Sequence, residues 1–561
     1  NDGLEPTLTN AADLMKWDTT RYTNWQRELL GGTAPFTSVA VRLSSGNKTT
    51  RFQLGVSYNR EGTVFPGSFS NRKLAGNLTL SHRSENGKFS LDLTTGYHRE
   101  LGDLFNQDIT SRAVSLPPNA PRLYDNAGQL NWEDGTWTNP VSILEQPYRS
   151  VNNTFISSVI MGVSPLKGID LKLVSGYTVS ALDELLMSPI RSKDPATRPT
   201  GSNISARAQN TTWILEPQAQ LQRDWAGGKL IVLIGATLQE TSRFGESRLA
   251  SGYTSDALLE NSKAATSLFI YETNDTQYRY QSWFGRVNYN WKDRYMLNFS
   301  GRRDGSTRFG KERRFGNFGA LGAAWLFSNE EFLKDLLAFV SLGKLRGSYG
   351  ITGSDQIADY GYADTYAATS YPYGANTGLI PQRLANQEFG WEQNRKLELA
   401  LELELLQNRL ELTGSWYRHR SSNQLVGLPL PATTGFSTIQ YNLDAVVENT
   451  GWELTASTVN IRRRHLLWTT SLNLTIPSNR LVSYPGLASS PYASTYLVGQ
   501  SLYIKRLYHY EGIDANSGNP AVTDVNGDGQ YTIADRTSIR QVSQRWFAGL
   551  QNSISYKRFE F

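Results

Sequence analysis

The stretch YQSWFGRVNYNWKDRYMLNFSGRRDGSTRFGKERRFGNFGALGAAW, residues 280–325, alternates apolar and polar side chains with a period of two. Successive side chains of a β-strand point to opposite faces. The pattern therefore predicts a hairpin with one apolar and one polar face, turning at Lys292 and Asp293. Each arm has about ten residues, enough for a tilted strand to cross a bilayer. Taken alone, the hairpin fits a soluble antiparallel sheet with one solvated face equally well.

Composition excludes several classes of protein. The chain has 561 residues, too many for one ordinary soluble core, so it requires several domains or one very large sheet. It has no cysteine, which removes disulfides, thiolate metal sites and cysteine nucleophiles. A hydrophobic content of 39% and a mean hydropathy of −0.44 exclude a helical membrane protein, but not a barrel, in which half of each strand faces a polar lumen. The net charge of +5 is spread along the chain, so we expect no nucleic-acid partner.

The lengths of the connections decide the fold class. Short turns between predicted strands lie at 85–87, 165–168, 226–228, 292–293, 407–408 and 462–464. They alternate with long segments, which include 101–149, 182–204 and 243–277. Transmembrane barrels have short periplasmic turns and long extracellular loops. We therefore predict an all-β fold, a transmembrane antiparallel β-barrel with roughly seventeen strands in this chain.

Residues 396–405 predict a lipid-facing strand most clearly. Every second side chain is leucine, at positions Leu397, Leu399, Leu401, Leu403 and Leu405. The other face carries charge, at Lys396, Glu398, Glu402 and Glu404. Farther along the chain, Ser328 with Glu331 predicts a capping box at the start of a short helix that ends near Leu337.

Several segments resemble the SusC/RagA family of TonB-dependent outer-membrane transporters. They are RYMLNFSGRRDGSTRFG (294–310), FGNFGALGAAW (315–325), KLRGSYGITGSDQIADYGY (344–362), WE (391–392), LPLPATTGF (428–436), NTGWEL (449–454) and DVNGDGQYTIADR (524–536). These segments follow the order of the family over nearly the whole chain.

The resemblance implies a 22-stranded barrel with a plug in its lumen. It also implies a SusD-like surface lipoprotein as partner and energy from the inner-membrane TonB–ExbB–ExbD complex. An odd strand count and a chain that starts on the long-loop side both predict missing strands. We therefore expect residues 1–561 to be a TonB-dependent receptor β-barrel domain that is incomplete, without the plug domain and the last strands.

No catalytic constellation is present, since the five histidines are scattered and no HExxH or GxSxG motif occurs. We expect no enzyme. Charged residues on the predicted lumen face are expected to make salt bridges, with a plug rather than a substrate: Arg286, Arg302, Lys344, Arg346, Glu398, Glu402 and Glu404. Aromatic residues of the long segments could stack on sugar rings or contact the partner: Trp132, Trp137, Tyr360, Tyr362, Tyr371 and Tyr373.

The acidic segment 524–535 has the spacing of a calcium loop. Asp524, Asn526, Asp528 and Asp535 stand at positions 1, 3, 5 and 12 of an EF-hand-type loop, and Gly529 stands at position 6. The backbone carbonyl of Gln530 would supply position 7. No flanking helix pair is predicted, so the ion would be structural. A plain turn rich in Asp, Asn and Gly is the alternative.

The expected function is active, TonB-dependent import of oligosaccharides or oligopeptides through the bacterial outer membrane, in contact with outer-membrane lipid. The choice between glycan and peptide stays open. The alternative is an ungated porin or a secretion-type outer-membrane pore, which needs neither a plug nor TonB. A soluble adhesin or carbohydrate enzyme is a third class.

Overall fold

The computed structural model describes residues 5–8, 10–369, 371, 373–374, 376–515 and 517–561. Most of its regular structure is β-strand. The strands are β1 (Phe36–Gly46), β2 (Thr50–Gly62), β3 (Ser70–Arg83), β4 (Phe89–Phe105), β5 (Pro147–Leu166), β6 (Ile169–Ser188), β7 (Gly201–Trp225), β8 (Gly228–Tyr253), β9 (Ser267–Trp291), β10 (Tyr295–Ser306), β11 (Phe315–Trp325), β12 (Val340–Ser354), β13 (Thr365–Ala368), β14 (Leu379–Arg383), β15 (Glu392–Leu405), β16 (Leu410–Ser422), β17 (Gln424–Pro429), β18 (Thr438–Leu443), β19 (Val446–Arg463), β20 (Leu466–Ser483), β21 (Ile504–Leu507), β22 (Tyr510–Ile513), β23 (Pro520–Val522), β24 (Ser538–Gln541), β25 (Phe547–Tyr556) and β26 (Phe559–Glu560).

The α-helices of the described residues have four to six residues each. They are α1 (Ala12–Met15), α2 (Trp25–Leu30), α3 (Thr110–Ser115), α4 (Val141–Leu144) and α5 (Glu331–Lys334). In this part of the chain no helix combines the length and the apolarity needed to span a membrane.

In the described residues, eighteen strands form one large sheet, close to the seventeen that the sequence predicts. The remaining strands pair as small ribbons, β13 with β14, β17 with β18, β21 with β24 and β22 with β23. Within the large sheet, antiparallel pairing runs from β1 to β5 and again from β9 through β10, β11, β12, β15, β16, β19 and β20 to β25. The prediction of an all-β antiparallel fold is confirmed.

The hairpin of β9 and β10 has the predicted turn and the predicted register. Trp291 lies opposite Tyr295, and Val287 lies opposite Phe299. Lys292 and Asp293 have φ angles of 53° and 53°, the left-handed conformation of a two-residue hairpin turn whose twist matches the flanking strands. The apolar side chains of both strands therefore lie on one face.

The same two faces continue across the neighbouring strands. Phe299 lies opposite Leu321, Leu321 opposite Tyr349, and Leu345 opposite Leu401. We call this side the apolar face, and the side that carries Asn298, Lys344 and Glu402 the polar face. Large side chains of the apolar face are exposed, for example Phe299 by 60% and Leu321 by 57%. A continuous exposed apolar surface of this kind is typical of contact with a membrane.

Several predicted long loops are partly strand. β6 continues to Ser188, β8 continues to Tyr253 and β9 begins at Ser267. Both β8 and β9 therefore extend well beyond the ten or so residues that cross a bilayer. The predicted loop boundaries at 182 and 243 were wrong because apolar and polar residues do not alternate regularly in these extensions, as in LFIY at 268–271, so the period of two ends before the strand does.

The chain divides into two compact units, each with its own buried clusters. The first comprises Asn1–Pro165, Leu171–Pro217 and Leu238–Arg279. The second comprises Leu166–Asp170, Gln218–Thr237 and Tyr280–Phe561.

In the first unit, the segment before β1 packs on the connection between β4 and β5. Trp25 and Leu29 of α2 are buried against Trp137 and Val141 of that connection. Asn139 is buried and its amide is satisfied, since it donates to the carbonyls of Leu123 and Asn131 and accepts from the Val141 N–H. A stretch that reads as a loop in the sequence is therefore a small folded core.

In the second unit, a buried carboxylate ties the turn after β11 to the start of β10. Glu330 accepts from the Tyr295 hydroxyl at 2.6 Å, from Arg294 at 3.1 Å and from the Trp325 indole N–H at 3.2 Å. The predicted capping box is absent, because Glu330 occupies the N-cap position of α5 and makes no side-chain cap hydrogen bond. The carboxylate of Glu330 therefore accepts hydrogen bonds from the start of β10 and the end of β11 instead of capping the helix.

Candidate functional site

Charged residues of the polar face neutralise one another across β12 and β15. Lys344 donates to Glu402 at 2.9 Å, and Arg346 donates to Glu402 at 2.7 Å and to Glu398 at 2.6 Å. The register explains the bridge, because Arg346 lies opposite the small Ala400 and therefore reaches the carboxylates on both sides of it. The four side chains carry no net charge as a group.

A second polar centre lies on β9 and β10. Arg302 holds both oxygens of Asp304 at 2.9 Å and donates to the Tyr280 hydroxyl at 2.6 Å. The structure thus brings together four of the seven charged residues that the sequence placed on the lumen side, and a fifth, Arg302, pairs separately with Asp304. The other two, Arg286 and Glu404, have no ion-pair partner in the described residues.

The segments RDGSTRFG (303–310) and GSDQIADYGY (353–362) meet at the end of the sheet. Ser306 donates to Asp355 at 2.7 Å, and Arg308 donates to Asp359 at 2.9 Å and to the Asp355 carbonyl at 3.0 Å. These contacts join the connection after β10 to the connection after β12. The long connections on this side of the second unit are therefore held in place by charge-assisted hydrogen bonds.

An aromatic cluster lies beneath these contacts. Phe309 is fully buried, with its ring centroid 6.0 Å from that of Phe389 and 5.1 Å from that of Trp391. Trp391 also contacts Phe318, at 5.4 Å between ring centroids. We call Phe309, Phe318, Phe389 and Trp391 the aromatic loop cluster. It fixes the loops through apolar burial as well as through ion pairs.

A cavity of about 570 Å³ opens beside the aromatic loop cluster. Some amides of its wall hold the loops together, since Asn442 exchanges hydrogen bonds with Gly390 and Asn423 donates to the Trp391 carbonyl. Other polar groups of the wall carry no side-chain hydrogen bond within the described part of the chain: Asn317, Gln393 and Asp444. The cavity can therefore offer free amide and carboxylate groups to a polar ligand.

The aromatic residues singled out in the long segments differ in exposure. Trp137 is buried, 6.3 Å from Trp25 between ring centroids, and Tyr362 packs against the aromatic loop cluster. Neither presents a free ring to a ligand. Tyr371 and Tyr373 are 87% and 93% exposed in the connection between β13 and β14. Of the six, Tyr371 and Tyr373 expose their rings most fully, and Tyr360 is 38% exposed.

The predicted calcium loop closes on its own backbone. Asp524 accepts from the N–H groups of Gly527 at 2.8 Å and Gly529 at 2.7 Å, and Asp528 accepts from the Gln530 N–H at 2.8 Å. Asn526 donates its amide to Asp528 at 2.8 Å. In the described residues, no group of three or more His, Cys, Asp or Glu side chains is placed to hold a metal ion. An ion would have to replace some of these hydrogen bonds.

Asp535 is buried at the end of this loop. Its carboxylate accepts from the Thr532 N–H at 2.7 Å and from the Val525 N–H at 2.9 Å. These hydrogen bonds, that of Thr532 first, hold the pKa of Asp535 below its ordinary value of 3.8. The carboxylate is therefore ionised at neutral pH and fastens both ends of the loop through these hydrogen bonds.

Comparison with known proteins gives the family. The family model described as "TonB dependent receptor-like, beta-barrel" matches residues 3–559. TonB-dependent receptor P26 of Formosa agariphila is 25% identical over 95% of this chain and 57% of its own length. TonB-dependent receptor SusC of Bacteroides thetaiotaomicron is 24% identical over 97% of this chain and 58% of its own length.

A solved structure supports the same fold. The RagAB peptide transporter structure superimposes with a TM-score of 0.79 and 20% identity, and it covers 98% of this chain and 63% of the matched chain. The chain thus spans less than two thirds of the length of these relatives. Because the family model covers nearly the whole chain, the chain belongs to the β-barrel family of TonB-dependent receptors, a family of bacterial outer-membrane transporters and not of enzymes.

Proposed function

We propose that the protein is a TonB-dependent importer of oligosaccharides or oligopeptides that works with a SusD-like lipoprotein. The observation that carries this proposal is the match of residues 3–559 to the receptor barrel family. Two further features support it. Four charges of the polar face, on β12 and β15, are paired with one another, and the loops after β10, β12 and β14 form one cluster.

The cavity beside the aromatic loop cluster suits a neutral polar ligand. Free amide and carboxylate groups at Asn317, Gln393 and Asp444 match the hydroxyl groups of a sugar and the amide groups of a peptide. The solved structure that superimposes on this chain is described as that of a peptide transporter. Both substrate classes therefore belong in any uptake assay.

The partner proposal rests on the exposed ribbon of β13 and β14. Tyr366, Leu379 and Ile380 are exposed there by 58%, 70% and 45%, and Tyr371 and Tyr373 lie in the connection between the two strands. Exposed Tyr and aliphatic side chains are typical of protein interfaces.

We expect the full-length protein, purified from its native membrane in mild detergent, to carry a surface lipoprotein with it. Replacement of Tyr371 and Tyr373 by Ser should weaken this complex, whereas the same change at the buried Tyr253 tests for a mere folding effect. Repeated recovery of the barrel alone would contradict the partnership.

An ungated pore is the alternative function. The barrel fold serves both classes, since a pore uses the same sheet and differs in lacking a plug and a need for energy. The two differ in what drives solute across the membrane. An importer requires the TonB complex, and a pore does not.

We also propose a structural calcium ion in the loop of Asp524, Asn526, Asp528, Gln530 and Asp535. The support is the ligand spacing and the oxygen-rich chemistry of these residues. The self-satisfied hydrogen bonds of the loop favour the metal-free turn. The two states predict different responses to calcium.

If calcium binds, limited proteolysis near Gly529 should be slow in millimolar calcium and fast after chelation. In the variant that combines Asp524→Ala and Asp528→Ala, cleavage should be fast in both conditions, because two of the carboxylate ligands are gone. Glu312→Ala, in another connection, is the control and should respond as the parent does. Cleavage of the parent that does not change on chelation would leave an ordinary turn closed by its own N–H groups.

A further inference from the structure

The apolar face ends, on the side of the long connections, in a row of tryptophans followed by arginines. Trp416 of β16 lies opposite Trp452 of β19, and Trp283 lies on the apolar face of β9. Trp283 is eight residues from Trp291, which lies beside the short turn. At ~3.3 Å per residue this separation is roughly 26 Å along the strand, close to the height of the apolar band of an outer-membrane barrel. The tryptophans therefore mark the membrane interface on the side of the long connections.

Four arginines lie on the same face just beyond this row. On β15, Arg395 follows the leucine row by two residues, and on β16, Arg418 and Arg420 follow Trp416 by two and four residues. Arg395 lies directly opposite Arg420, and Arg418 lies opposite Leu397. Arg480 of β20 joins them through Glu448, which lies opposite both Arg420 and Arg480.

One buried carboxylate pairs with two of the four guanidinium groups. Glu448 is buried and accepts from Arg420 at 2.6 Å and from Arg480 at 2.9 Å. Within the described residues, Arg395 and Arg418 have no ion-pair partner. Like charges placed directly opposite each other on neighbouring strands destabilise a sheet, as Arg395 and Arg420 do here. The cluster therefore has an excess of three positive charges and a structural reason to bind an anion.

We propose that Arg395, Arg418, Arg420 and Arg480 form a binding site for the phosphate group of an anionic lipid in the outer leaflet. Guanidinium groups bind phosphate through two parallel N–H···O hydrogen bonds, which suits them to this ligand better than lysine. The site lies at the height of the headgroups, while the leucines of β15 contact the acyl chains below. The site does not depend on what the protein imports.

The position of the cluster argues for a lipid rather than a dissolved anion. The arginines are on the apolar face, on the outside of the row of tryptophans, whereas solutes would cross along the polar face. A lipid brings its phosphate to this face by its own insertion in the bilayer. The side of the long connections is extracellular in this fold, which makes the bound leaflet the outer one.

The test is native mass spectrometry of the full-length protein in mild detergent, titrated with diphosphoryl lipid A. The variant that combines Arg395→Gln and Arg418→Gln removes two positive charges and leaves both ion pairs of Glu448 intact. The matched control combines Arg286→Gln and Lys396→Gln, which removes two exposed charges from the polar face. Heat-modifiable mobility on electrophoresis checks that both variants fold.

We expect the site variant to lose affinity for the lipid by about tenfold or more, and the control to bind as the parent does. The same lipid stripped of its phosphates should bind the parent and the site variant equally weakly. Equal binding of diphosphoryl lipid A by the parent and the site variant, or an equal loss in the control, would overturn the proposal. Competition by inorganic phosphate at the same concentration as the lipid would also overturn it, because the site would then be one for a free anion.

Discussion

Replacement of Phe309 by Ala is expected to destabilise the loops after β10 and β14 by about 3–5 kcal/mol. The phenyl ring is fully buried against Phe389 and Trp391, so its removal loses apolar burial and leaves a cavity that the surrounding rings fill only in part. The large sheet does not depend on this ring. We therefore expect local opening rather than global unfolding.

Hydrogen exchange measures this opening directly. Backbone amides of residues 307–314 and 384–391 should exchange faster in the variant, by the factor that corresponds to the lost free energy. Phe332→Ala is the matched control, since this side chain is 73% exposed and its removal should change stability by about 0.5 kcal/mol or less. Equal protection in the parent and in Phe309→Ala would show that the aromatic loop cluster does not order the loops.

Replacement of Leu401 by Arg is expected to cost about 2–4 kcal/mol of barrel stability, the usual cost of a cation at the bilayer midplane. Leu401 is central in the leucine row of β15, on the apolar face opposite Leu345 and Gly414. The measurement is the free energy of folding of the full-length protein into liposomes, from urea titration followed by tryptophan fluorescence.

The control for this change must lie at the same height on the polar face. Glu402 is unsuitable because it holds Lys344 and Arg346, and an arginine there would break both ion pairs. Thr413 lies opposite Glu402 on β16, so Thr413→Arg places the new cation beside a carboxylate. Its cost should be about 0.5 kcal/mol or less. Equal costs at Leu401 and Thr413 would contradict a lipid-facing leucine row.

The strands and turns of the second unit were predictable because their signals are local. The turn at Lys292 and Asp293 and the leucine row of β15 each follow from a few neighbouring residues. The period of two needs no knowledge of distant contacts. The same signal fails where β8 and β9 extend past the apolar band, because apolar and polar residues no longer alternate regularly there.

The packed loops were not predictable in the same way. In the sequence, Trp137 looks like an aromatic residue of a loop. In the structure it is buried, because Trp25, which lies 112 positions earlier in the chain, packs against it. Arg308 and Asp359 meet only through the pairing of β10, β11 and β12. Contacts between residues far apart in sequence depend on the register of the whole sheet, which a single sequence does not specify.

The arginine cluster on the apolar face shows the same limit. Its members come from β15, β16 and β20, and each looks like an ordinary solvated charge in its own strand. Only the register places Arg395 opposite Arg420 and leaves Glu448 between Arg420 and Arg480. The one feature of the sequence that indicates this cluster is the arginine at the end of the leucine row, Arg395.

The most direct test of the proposed import is whether uptake of the substrate depends on energy. Cells that carry the full-length protein would be given a panel of fluorescent oligosaccharides and oligopeptides, and uptake would be compared before and after deletion of TonB or addition of a protonophore. An importer should take up at least one member of the panel, and uptake should fall to the level of cells without the protein in both treatments. Uptake that depends on the protein but persists in full without TonB and without the proton gradient would contradict active import and establish an ungated pore.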